Sequence, residues 1–261
     1  QYDTGDPSDG GYGIVESKAS NTACAVPFAV GDANFDSETT IADVLALVDF
    51  ILEETAPSDA AFNNTDVNMD GELNIADVVI IVDIISGTGT GRVLSGGSFA
   101  HIELSTNHQL SELLVNLDYS GILKGIQFEL KYDPEMVTIG APALSLMQEN
   151  VIITHSKMSD GHIKVIVADL SGETVESNQQ DLVRIPYSFN GEITEVSGIS
   201  LSDIYVSGPK GKIADVYSRS VSADVKLVPG VFALHQNYPN PFNPKTEIRF
   251  DLPEATIVDI S

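Results

Sequence analysis

Residues 32–43 read Asp-Ala-Asn-Phe-Asp-Ser-Glu-Thr-Thr-Ile-Ala-Asp, and residues 66–77 read Asp-Val-Asn-Met-Asp-Gly-Glu-Leu-Asn-Ile-Ala-Asp, 34 positions later. Oxygen-bearing side chains fall at positions 1, 3, 5, 7, 9 and 12 of each stretch. They are Asp32, Asn34, Asp36, Glu38, Thr40 and Asp43 in the first copy, and Asp66, Asn68, Asp70, Glu72, Asn74 and Asp77 in the second. This pattern suits calcium, which takes about six to eight hard oxygen ligands in a flexible shell. A solvated acidic turn explains one such stretch, but two in the same register predict two bound Ca2+ ions.

The repeat extends beyond the ligands. Ile41 matches Ile75, Ala42 matches Ala76, Val44 matches Val78, Val48 matches Val82, Asp49 matches Asp83 and Ile51 matches Ile85. Each unit therefore reads as one loop followed by one helix. By propensity alone Val78-Val-Ile-Ile81 suits a strand as well. Its equivalence with Leu45–Leu47, in a segment ending Glu53-Glu54, makes it a helix.

This arrangement resembles the dockerin family, in which two calcium loops, each followed by a helix, pack about a pseudo-twofold axis. The resemblance covers residues 31–87 and includes Asp at loop position 12 and the lack of a helix entering the first loop. Position 6, where the chain turns sharply, is Gly71 in the second loop but Ser37 in the first. A non-Gly residue at positive φ costs about 1 kcal/mol or more, so the first site is expected to be the weaker. The resemblance also implies that loop positions 10 and 11, here Ile41-Ala42 and Ile75-Ala76, contact a partner; core packing is the alternative for these residues. Both helices are apolar nearly all round and must be covered on every side. Pairing them within so small a module leaves an apolar patch that marks an interface.

Composition narrows the class further. The 261 residues suggest about two domains, and 38 acids against 13 bases give a net charge of −25. That charge argues against nucleic acid and anionic membranes as partners, and a compact chain carrying it repels itself unless cations bind. Cys24 is the single cysteine, so no disulfide framework is expected. The chain starts at Gln1 with no charged-then-apolar leader, which suggests a mature chain whose signal has been removed. Its most apolar run, Val78–Ile85, is too short for a transmembrane span and contains Asp83. An extracellular or cell-surface bacterial protein fits these features.

After the Gly- and Ser-rich stretch 86–98 the texture changes to short alternating strands: 99–104, 113–119, 122–132, 151–155, 162–168, 182–189 and further candidates to Leu227. Such strands with frequent turn signals make a β-sandwich. The run Leu123-Lys-Gly-Ile-Gln-Phe-Glu-Leu-Lys-Tyr-Asp-Pro-Glu-Met-Val137 is similar to the Gly-x-x-Phe-x-Leu-x-Tyr-Asp-Pro strand and turn of the cohesin family, whose jelly-roll sandwich would occupy roughly 97–228. From Pro229 the chain reads Val-Phe-Ala-Leu-His-Gln-Asn-Tyr-Pro-Asn-Pro-Phe-Asn-Pro-Lys-Thr-Glu-Ile-Arg-Phe-Asp-Leu-Pro253. This resembles the opening of the C-terminal sorting domain of type IX secretion substrates. Two isolated strands are marginal in water, so Thr246–Leu252 is expected to dock on another sheet; a frayed tail is the alternative.

The fold class is therefore mostly β with a small α module, two loop-helix calcium repeats and a cohesin-like jelly-roll sandwich. The expected organisation is an extended leader (1–30), the calcium module (31–87), a linker (88–97), the sandwich (98–228) and a partial sorting-domain-like tail (229–261). Catalysis is not expected. The five histidines are scattered, no zinc or nucleophile motif is present, and the chain lacks Trp, the usual sugar platform. The expected function is an extracellular, calcium-stabilised structural protein polymerising head to tail. The expected partner is the chain itself or another protein of the cohesin or dockerin type. A monomeric adaptor holding an enzyme or polysaccharide is the alternative. The short linker is expected to hinder the calcium module from folding back onto its own sandwich.

Overall fold

The computed structural model describes residues 2–3, 14–15, 29–87, 98–172, 174–175, 181–191, 195–220, 222–226, 232–253 and 256–259. Cys24, most of the leader and the 88–97 linker lie outside the described residues. Within the leader, β1 (Tyr2–Asp3) pairs antiparallel with β2 (Ile14–Val15).

Three helices follow: α1 (Ile41–Ile51), α2 (Asp59–Thr65) and α3 (Ile75–Ile85). The long helices start alike. Thr40 and Asn74 are N-caps whose side chains accept from the amides of Ala42 and Ala76, and Asp43 and Asp77 complete the capping boxes. The residue at loop position 12, expected from the sequence to be a ligand, is thus also the residue that starts the helix. Sequence reading missed α2, although Ser58, whose hydroxyl accepts from Ala61 N, is a recognisable N-cap.

The strands after the linker are β3 (Phe99–Asn107), β4 (Glu112–Tyr119), β5 (Gly125–Lys131), β6 (Val137–Ile139), β7 (Ala143–Leu144), β8 (Val151–Ser159) and β9 (His162–Asp169). They continue with β10 (Val183–Phe189), β11 (Glu195–Gly208), β12 (Lys212–Ile213), β13 (Asp215–Ser220) and β14 (Ser222–Lys226). One sheet runs β13-β3-β4-β10-β6, with β7 also on β10; the other runs β12-β11-β5-β9-β8, with β14 also on β11. Among the described residues, only the β13–β3 pair within them is parallel. Inward residues of both sheets, among them Ile102, Val115, Phe128, Val165, Ile185 and Val206, share one core. The expected sandwich and its principal strands are observed.

The second sheet departs from simple alternation. In β9, Ile163, Val165 and Val167 face the sandwich core, whereas Ile166 and Ala168 join a second cluster with Leu47, Ile75, Val78, Ile80 and Ile81 of the helical module. The central strands of this sheet are therefore covered on both faces, giving three layers. This overturns the expectation that the linker keeps the module off its own sandwich. Burial of the apolar sides of α3 outweighs the cost of closing a connection this short. The near-continuous apolar run Ile163–Ala168, broken only by Lys164, is the sequence sign of such two-sided burial.

In the tail, Ala233–Leu234 (β15) pairs with Phe250–Asp251 (β16), and Tyr238 bridges Glu247. The tail strand expected to join another sheet pairs only within its own hairpin among the described residues.

Candidate functional site

The two acidic loops agree bond for bond. In the first, Asp43 Oδ1 accepts from the amides of Ala33 (2.9 Å) and Asn34 (3.2 Å), and Oδ2 accepts from Thr40 N (2.8 Å). In the second, Asp77 Oδ1 accepts from Val67 N (3.0 Å) and Asn68 N (3.3 Å), and Oδ2 from Asn74 N (3.1 Å). Asp32 receives the amides of Asp36 and Ser37 as Asp66 receives those of Asp70 and Gly71. The turn at position 6 requires positive φ in both: 74° at Ser37 and 90° at Gly71. The first loop therefore carries the backbone strain that its sequence implied.

Carboxylate oxygens of Asp32, Asp36 and Asp43 lie within 4.8 Å of one another. The Asp77 carboxyl is pushed up to about 7, chiefly by burial and further by the neighbouring Asp70 and Asp66 charges, against the hydrogen bonds from the Asn74 and Asn68 amides that pull it down. A hard-oxygen set that crowds negative charge about a buried carboxylate fits a divalent cation. Asp32, Asn34, Asp36, Glu38, Thr40 and Asp43 would hold one ion, and Asp66, Asn68, Asp70, Glu72, Asn74 and Asp77 the other. The ion would act as structural charge, because a loop that forms around it converts binding energy into folding energy.

The second loop leads into a joint with the sandwich. α3 lies against β5, β9, β11 and the 3-10 turn Pro209–Gly211. Two glycines allow the close approach. A Cβ on Gly125 would stand 2.7 Å from the Ile75 side chain, and one on Gly211 would stand 2.4 Å from the Ile80 side chain and 2.7 Å from the Ala76 carbonyl oxygen. Polar contacts surround this apolar seat. Asp83, buried, accepts from Lys210 N at 2.7 Å, and Tyr205 OH donates to Glu72 Oε2 at 3.0 Å. Burial first, and then the Glu72 carboxylate, push the Tyr205 phenol well above its ordinary range.

Lys164 on β9 adds an ionic contact. Its Nζ lies 3.3 Å from Glu129 Oε1 and 3.9 Å from both Glu53 Oε1 and Asp203 Oδ2, while His162 Nε2 is 2.7 Å from Glu129 Oε2. Burial alone would raise the Glu129 carboxyl, but the His162 hydrogen bond and the Lys164 charge hold it below the usual carboxylate range. Glu53 follows α1, so this group reaches from the helical module to the sheet.

The residues expected to meet a partner divide sharply. Ile75 and Ala76 are fully buried against the chain's own sandwich, whereas Ile41 is 43% exposed and Ala42 is exposed. Leu45 extends the open patch beside them. Sequence reading did not find Tyr205, Lys210, Gly125 or Gly211, which contribute to the joint. Gly208-Pro-Lys-Gly211 signals a turn, but nothing local says what packs on it. The histidines lie apart: His101 against Tyr217, His108 beside Thr106, His162 on Glu129 and His235 on Asp251.

The class these features define is a small calcium-loop module seated on a β-sandwich. Residues 30–85 match the dockerin type I domain family. Dockerin domains bind calcium and are non-catalytic assembly modules, typically extracellular or on the cell surface. No curated protein matches the chain. Similar solved structures include the sixth cohesin from scaffoldin B of Acetivibrio cellulolyticus, in complex with a Cel5 dockerin mutant, at 19% identity. It covers 51% of this chain and 99% of that one, with a TM-score of 0.37. Another is the cohesin module of a family 33 glycoside hydrolase from Clostridium perfringens, at 16% identity, with 49% and 95% coverage and a TM-score of 0.37. A non-cellulosomal cohesin from the archaeon Archaeoglobus fulgidus has 15% identity, 51% and 93% coverage and a TM-score of 0.38. Each is a likeness in strand arrangement. No described helix is long and apolar enough to cross a membrane.

Proposed function

We propose that this chain is an extracellular, calcium-stabilised assembly protein whose copies join head to tail. The calcium module of one copy would seat on the sandwich of the next as it seats on its own here. The supporting observation is the joint itself, an apolar helix in a glycine-cleared seat with a hydrogen bond from the Lys210 amide to Asp83. A contact of one module with another part of the same chain, made between copies, is heterologous, and one that does not close on itself yields an open fibre. Two calcium ions, one in each loop, would hold the module in its docking shape. The tail's resemblance to the type IX sorting domain fits a bacterial protein exported to the cell exterior.

A second reading is favoured by the occupancy of the seat. If the module stays on its own sandwich, the molecule is a monomeric surface adaptor, and the open patch of Ile41, Ala42 and Leu45 is what remains for a cohesin-type partner. Sizing and electron microscopy with and without calcium distinguish the readings. Filaments or ladders that require calcium support assembly, and monomers at high concentration support the adaptor. A chelator that changes neither assembly nor melting temperature refutes the structural role of the ions.

A further inference from the structure

The second loop ends inside the joint, whereas the first ends at the surface. Asn74, Ile75, Ala76 and Asp77, at loop positions 9–12, are all buried, and Ile75 packs where Gly125 of the sandwich leaves it room. Of the matching residues only Asp43 is buried; Thr40 is half-buried, and Ile41 and Ala42 are exposed. Position 7 separates the loops in the same way. Calcium loops of this kind take the backbone carbonyl at position 7 as the ligand, which leaves the side chain free to reach elsewhere. The Glu72 carboxylate reaches the sandwich, where it accepts from Tyr205 OH at 3.0 Å. The Tyr205 side chain packs against the apolar cluster that the helical module shares with the sheet. No described residue bonds to the carboxylate of Glu38, the counterpart of Glu72.

Ordering an acidic loop costs backbone and side-chain entropy, which the binding of an ion has to offset. A contact that fixes the loop before the ion arrives removes part of that cost and appears as tighter binding. Glu72 stands two residues from Asp70 and two from Asn74. Pinning its side chain therefore steadies the chain between loop positions 5 and 9.

We propose that Tyr205 is a positioning residue for the second calcium site: its hydroxyl holds Glu72, so the sandwich tightens that site and leaves the first one unchanged. This rests on the calcium reading of the loops, and it applies whether the seat is filled by the same chain or by a second copy. Coupling of this kind is reciprocal, so calcium in the second loop also strengthens the joint. Asp203 competes for the same hydroxyl proton, which makes the coupling between Tyr205 and Glu72 the quantity to measure.

Calcium titration of the full chain followed by NMR separates the sites. The Ser37 amide, which donates to Asp32, reports the first loop, and the Gly71 amide, which donates to Asp66, reports the second. Tyr205→Phe keeps the ring and is expected to raise the Gly71 midpoint about 3- to 10-fold, the range set by one hydrogen bond, with the Ser37 midpoint unchanged. Glu72→Ala removes a charge as well as the acceptor, so its effect is read with and without Tyr205→Phe. The loss it causes in the otherwise unmodified protein is expected to exceed the loss beside Tyr205→Phe by the same factor, because the charge effect is common to both and cancels. Equal losses in the two backgrounds overturn the proposal. An equal shift of both midpoints in Tyr205→Phe also overturns it, since that marks a general loosening of the module. A Gly71 midpoint that does not move in Tyr205→Phe overturns the coupling and leaves the calcium reading standing. If neither amide responds to calcium, the calcium reading falls and the coupling falls with it.

Discussion

The two repeats share oxygen-bearing positions, hydrogen bonds and caps, yet they occupy different surroundings. Residues 75–83 of α3 are all buried, between α1 on one side and the sandwich on the other. On α1 the matching positions Ile41, Ala42, Leu45 and Asp49 face outward. The loop is thus a local structure that closes the same way twice, while the fate of its helix depends on what it meets. Asp49 and Asp83 show this most directly. They are equivalent in the repeat, but Asp83 accepts the Lys210 amide under the sandwich and Asp49 is exposed.

The largest effect should come from calcium removal, which acts on both repeats at once. At free calcium about a thousandfold above the dissociation constant, an ion in each loop would contribute about 4 kcal/mol. Calorimetry with chelator should therefore show a large fall in the module's melting temperature. An unchanged transition would separate the loops from folding altogether. Next, Ile75→Ala should cost about 2–5 kcal/mol in urea unfolding, whereas Ile41→Ala should stay within about 0.5 kcal/mol. Equal losses would erase the contrast between the repeats. Asp83→Ala should cost about 1–3 kcal/mol by removing the buried carboxylate's hydrogen bond from the Lys210 amide, and Asp49→Ala should be neutral in the same assay. The smallest change concerns the loops themselves. Ser37→Gly should relieve about 1 kcal/mol of left-handed strain and tighten the first calcium site, read by titration calorimetry. A first site already tighter than the second in the unmodified protein would defeat that account.

Much of the fold is legible in the sequence because its signals are local. Six ligand positions repeated at one spacing define the loops, and the caps Thr40 and Asn74 mark where the helices start. Period-two alternation locates β3, β4 and β5 to within a few residues. Strand β11 was not resolved as a single strand in advance, because its 14 residues contain irregular pairing at Val196–Ile199 and Ser202–Tyr205 that breaks the alternation. The joint was the least legible feature. Tyr205 pairs with Glu72 across 133 positions and Asp83 with Lys210 across 127, distances at which no periodic pattern connects one residue to the other. The apolar circumference of α3 did announce that the helix must be covered, without saying by what.

The sequence by itself determined the paired acidic loops, the helices they start, the strand-rich second half and the strain at Ser37, since each follows from the chemistry of residues close together in the chain. Only the tertiary structure decided that α3 rather than α1 lies on the sandwich. That choice depends on distant details: glycines at 125 and 211 that let a helix approach, an amide at 210 placed for Asp83, and a sheet face at Ile166 and Ala168 left apolar to receive it. Burial free energy belongs to pairs of surfaces, and which surfaces meet is settled only when the whole chain has folded.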